Sequence, residues 1–91
     1  MKALGSDISA YPFVEIEWSD IEGDAGWSDT KSLNKEKLPI CVSKGYLVSQ
    51  KNGVTRIFTD YIKTKDKPTF DSIGNTTIIP TAVITSIKKL S

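Results

Sequence analysis

The sequence predicts an all-β domain: a small barrel of about five strands, with one short helix and a 3₁₀ corner before the last strand. Three observations lead there. Residues 76–90, TTIIPTAVITSIKKL, set two short β-branched runs on either side of Pro80, Thr81 and Ala82. That spacing is too short for a crossover and wrong in type for a primed hairpin turn. Pro80 presets φ near −65° and has no N–H, so one 3₁₀ turn over residues 80–83 turns the chain by about ninety degrees into a closing strand. Second, residues 13–18 alternate cleanly, with Val14, Ile16 and Trp18 on one face and Glu15 and Glu17 on the other, as a half-buried first strand does. Third, Asn52-Gly53 separates two apolar runs, the strongest short-range hairpin signal. A strand, a one-turn corner and a closing strand is how small SH3-like and Sm-like barrels end.

Between these anchors the remaining elements follow in order. Residues 1–10 mix small and polar residues without a period and read as a flexible N-terminal tail, leaving residues 11–91 as one domain. Residues 19–29, SDIEGDAGWSD, hold two glycines and four acids, a loop of the kind between the first two strands of such a barrel. Ser28 is positioned to cap a short helix over residues 29–35, with Leu33 facing inward, and so short a helix requires packing on the barrel. Residues 38–49 form the second strand, with Gly45 marking a bulge or bend. The third strand, residues 54–62, has no cleanly polar face, so it is a long bent strand whose burial switches sides, or its outer face meets another subunit. Residues 63–75 read as a polar loop whose Phe70 and Ile73 tuck into the barrel mouth.

Composition narrows the chemistry. Ninety-one residues, 38% apolar and 25% charged, suit a single soluble domain with a thin core. No apolar run nears the roughly 18 residues of a membrane span, and the first residues lack a secretory h-region, so a cytoplasmic location without membrane contact is expected. Cys41 is the one cysteine and reads as a small strand hydrophobe. Histidine is absent, which removes the commonest general base and transition-metal ligand together. With no activated nucleophile and no phosphate loop, a non-enzymatic protein without cofactors is expected. Residues 1–40 hold four Lys against eight acids, and residues 41–91 hold eight Lys/Arg against three acids. This is either compensation within one barrel or a two-faced surface able to pair between subunits. Nucleic acid is a poor partner for a chain with net charge +1 and pI near 7.8. The thin core, the two-sided third strand and the divided charge together favour a homo-oligomer.

The segments VEIEW (14–18), DIEGDAGW (20–27), PICVSKGYLV (39–48), the Asn52-Gly53 turn and IIPTAVITSIKKL (78–90) resemble a widespread group of small tailed-bacteriophage proteins. The resemblance spans residues 11–90. It implies expression in the cytoplasm of an infected bacterium, where small proteins without enzymatic means act against host defence by binding. The loop at residues 63–75 departs from the group in being basic, so no role is carried over to it.

Two binding constellations can be drawn. Trp27, Lys44, Tyr46, Arg56, Lys63 and Lys65 combine aromatic faces with cationic donors, as an oligomeric sponge for a small anionic ligand such as a cyclic nucleotide would need. The alternative is an inhibitor docking on a host protein through Asp20, Glu22, Asp24 and Trp27, an aromatic anchor ringed by acids. The same acids alternate as in a calcium loop, but Ala25 and Lys31 stand where an EF-hand needs Gly and Glu. Scattered surface lysines and a solvated acidic loop account for both sets equally well. Trp18 belongs to the core in every reading. Trp18→Ala is expected to cost about 3–5 kcal/mol in urea unfolding, and an unchanged midpoint would remove this side chain from the core.

Overall fold

The computed structural model describes residues 6–65 and 69–91. Residues 1–5 of the expected tail and 66–68 of the expected loop lie outside the described residues. The chain runs as β1 (Ser6–Asp7), a 3₁₀ turn (Ile8–Ala10), β2 (Phe13–Ser19), helix α1 (Thr30–Leu33), β3 (Ile40–Lys51), β4 (Val54–Lys63), β5 (Thr69–Pro80), a 3₁₀ turn (Thr81–Val83) and β6 (Ile84–Lys89). All strands pair antiparallel in one sheet, in the order β1-β5-β4-β3-β2-β6. The five long strands and the 3₁₀ corner are those expected. Among the described residues no ladder joins β5 to β6, so hydrogen bonding leaves the sheet open. No helix among the described residues is long and apolar enough to cross a membrane.

Curvature nevertheless brings distant strands together. Val14 and Ile16 of β2 form one buried cluster with Ile57 of β4 and Ile79 of β5, and Trp18, Leu47, Val83 and Ile84 pack against it. Flat strands spaced about 4.8 Å apart would keep β2 well away from β5. Trp18 is half-buried and donates its indole N–H to Ser43 Oγ at 3.0 Å. At the hairpin, Asn52 (φ 56°) and Gly53 (φ 77°) supply the two positive φ values of a type I′ turn. The corner docks on that turn. Thr81 N donates to the Gly53 carbonyl at 3.0 Å, and the hydroxyls of Thr81 and fully buried Thr55 share a hydrogen bond of 3.0 Å.

A second cluster lies on the opposite face. Phe13 pairs with Tyr46 and Tyr46 with Phe58, so the three rings share one side of the sheet. Tyr46 stacks on Phe58 with centroids 5.2 Å apart, and Tyr11 meets Phe58 and Phe70 edge-on. Thus β4 buries Thr55 and Ile57 on one side and Phe58 on the other, which is why neither of its faces reads as polar.

Several expectations need correction. Residues 6–10 are no loose tail: β1 pairs with β5, and Asp7 caps the following 3₁₀ turn. Much of the expected 63–75 loop is strand, because β5 begins at Thr69, where Phe70 is buried under Tyr11 and Tyr61. Ile73, expected to tuck in, is 38% exposed opposite Tyr61. The helix is capped by Asp29 rather than Ser28, and Leu33 faces solvent. Gly45 is not the bulge, since the register shift falls between Leu47 and Ser49.

Gly45 instead permits close approach. A Cβ there would lie 2.8 Å from the Phe58 carbonyl oxygen and 3.2 Å from Ile57 Cδ1, a clash with backbone that no rotamer change relieves. Gly45→Ala is expected to lose about 1–3 kcal/mol in urea unfolding. Gly23→Ala, with nothing within 4 Å of the added carbon, should stay within about 0.5 kcal/mol. Equal stabilities would show that the β3–β4 contact yields freely.

Candidate functional site: an exposed arm

The feature that stands apart from the sheet is the connection from β2 to β3. Ser19 pairs with Ile40, and Asp20 N donates to the Pro39 carbonyl at 3.2 Å, closing the base of an excursion over residues 20–39. Connections this long in small domains usually have a function of their own. Every residue from 20 to 40 is exposed. The chain accordingly measures 60 × 24 × 21 Å with a radius of gyration of 17.4 Å, against about 12 Å for a compact domain of this length.

Local hydrogen bonds give the arm its shape. Asp24 Oδ1 accepts from Gly26 N at 2.8 Å, tightening the turn before Trp27. Asp29 Oδ1 accepts from Ser32 N at 2.7 Å and starts α1. The Ser32 N–H, with the Ser32 hydroxyl second, holds the Asp29 carboxyl below its ordinary range. Trp27 is fully exposed, and Ile21, Leu33 and Leu38 are exposed with it. Glu22, Asp24, Leu33, Glu36, Lys37 and Leu38 line an open hollow of about 690 Å³ within the arm. Among the described residues no three acids or cysteines are placed to hold a metal ion. An apolar anchor beside unpaired carboxylates suits docking on a surface rather than chemistry on a substrate.

The residues drawn together from the sequence as a ligand pocket are spread over the molecule. Tyr46 is packed in the aromatic cluster and borders an open groove of about 520 Å³ with Tyr11 and Lys89, which none of Trp27, Lys44, Arg56, Lys63 or Lys65 lines. Lys44 Nζ lies 3.8 Å from Glu15 Oε1 across the β2–β3 pair, and Lys88 reaches the other oxygen of the same carboxylate at 3.8 Å. Arg56 donates to the Lys51 carbonyl at 3.3 Å, opposite Ile78. Lys63 ends β4, and Lys65 is exposed beyond it. By contrast Asp20, Glu22, Asp24 and Trp27 all belong to the arm. Ile21 and Leu38 were not singled out from the sequence, and Leu33 was expected to face inward. Their only signal was apolar character inside a polar stretch.

Because Asp29 has a depressed folded pKa, its cap is in place above the unfolded value of 3.8 and is lost as pH falls through the lower folded value. Amide exchange at Ser32 should therefore accelerate below about pH 3.8, beyond its ordinary pH dependence, and do so at neutral pH in Asp29→Ala. Equal Ser32 protection in wild type and Asp29→Ala would remove the cap.

Comparison with known proteins adds no name to this geometry: no family model, no curated protein and no solved structure matches the chain.

Proposed function

We propose that this is a non-enzymatic binding protein that works by docking the 20–39 arm on a protein surface, with Trp27 as anchor and Asp20, Glu22 and Asp24 as its charged surround. One observation carries the reading: Trp27 is fully exposed at the end of a turn held by Asp24. A buried tryptophan is among the strongest interface anchors, and carboxylates around it select cationic surfaces and speed encounter. The bacteriophage resemblance extends the reading to a role inside an infected bacterium. The sponge for an anionic nucleotide has less support, since its six residues line neither of the two hollows together and Lys44 is already paired with Glu15.

The test places a photoactivatable benzoylphenylalanine at position 27 and illuminates the protein in a bacterial extract. A discrete protein adduct is expected. It should vanish in Asp20→Lys/Glu22→Lys/Asp24→Lys, and Trp27→Ala should weaken the same association at least tenfold, about 1.4 kcal/mol or more, without a change in melting. No protein adduct from position 27, together with nucleotide-binding heat that Arg56→Ala abolishes, would replace this reading with the sponge.

A further inference from the structure

We infer that the surface receiving the arm belongs to a second copy of this chain: the outward patch of Lys51, Val54, Arg56, Ile78 and Pro80. The inference rests on the reading of the arm as the binding element. Lys51 pairs with Val54, Val54 with Pro80, and Arg56 with Ile78. Residues directly opposite one another share a face, and so do residues two apart in one strand. The five side chains therefore form one contiguous patch on the side of β4 opposite buried Thr55 and Ile57. It has an apolar centre, with Ile78 61% exposed and Pro80 exposed, flanked by two cations.

Charge complementarity selects this patch. Residues 20–29 carry four acids and no Lys or Arg. Glu15 pairs with both Lys44 and Lys88, so those two cations are occupied. Among the described residues no carboxylate lies within ion-pair distance of Lys51 or Arg56, and no cation within that distance of Asp20, Glu22 or Asp24, although Lys37 borders the same hollow as Glu22 and Asp24. The arm thus carries an apolar anchor next in sequence to four acids, and the sheet carries an apolar centre flanked by cations, with no ion pair between the two among the described residues. Two copies related by a two-fold axis satisfy both at once, since each arm reaches the other's patch. The size agrees: a standard interface takes roughly 20–30 residues from each partner, and residues 20–39 together with the five patch residues fall in that range.

The experiment is sedimentation velocity of the full chain at about 10–100 μM, a range in which a micromolar interface is populated, at low and high salt. Wild type is expected to dimerise, less so at high salt. Trp27→Ala, the arm reversal Asp20→Lys/Glu22→Lys/Asp24→Lys and the patch reversal Lys51→Glu/Arg56→Glu should each weaken the dimer at least tenfold. Combining both reversals in one chain should restore it, a result that unfolding cannot mimic. A dimer indifferent to Trp27→Ala and to both reversals would overturn the inference. So would a wild type monomeric throughout. If position 27 of that monomer still cross-links a different protein, the arm reading survives with another partner; if it cross-links nothing, both readings fall.

Discussion

β6 lies beside β2, joining residues from opposite ends of the sequence: Ile16 pairs with Ile87 and Val14 with Lys89. Closing that distance is entropically costly and yields nothing until the strands meet. The corner makes the meeting possible. Pro80, with φ −55°, directs the chain into the 3₁₀ turn, and Thr81 fastens the turn to the Gly53 carbonyl of the β3–β4 hairpin. Once the hairpin exists, β6 is therefore aimed across the sheet by a fixed local geometry. Val83 and Ile84 then cover the cluster of Val14, Ile16, Ile57 and Ile79. Without the corner those side chains would have one layer and no lid.

That division between local and distant causes explains what could be read from the sequence. Strand β2, the Asn52-Gly53 turn and the corner at Pro80 depend on alternation, positive φ and a missing N–H, all properties of a few adjacent residues. The N-terminal half of β5 does not. Its residues are mostly polar, and it becomes strand because Phe70 is buried against Tyr11 and against Phe58 and Tyr61 of β4, all distant in the chain. Gly45 was legible as special but not why, because the carbonyl it admits belongs to Phe58 on the next strand.

The same limit separates the two candidate sites. Spacing correctly puts Lys44 and Tyr46 on one face of β3, but it says nothing about what lies across the ladder. There Glu15 takes Lys44, while Phe13 and Phe58 take Tyr46. A site assembled from separate strands needs the register. The arm needed only its own sequence: a tryptophan among glycines and acids, in a stretch with too few apolar residues to make a core. Its exposed apolar residues go unnoticed one by one, and matter only when all of residues 20–40 prove uncovered.

An arm that buries nothing against its own sheet contributes little to the stability of the isolated chain. Its order rests on Asx-type turns and one capped helical turn, each held by exposed hydrogen bonds, and such segments open with little free energy. The apolar area of Ile21, Trp27, Leu33 and Leu38 is consequently held back from folding and remains available to association. Fold and binding are thereby uncoupled. The core of β2, β4, β5 and β6 sets the melting temperature of the monomer, whereas the arm adds stability only through mass action, in proportion to the concentration of whatever covers it. A thin core leaves little margin for carrying strain or buried charge at a working site. Placing the proposed binding element outside the core avoids that conflict.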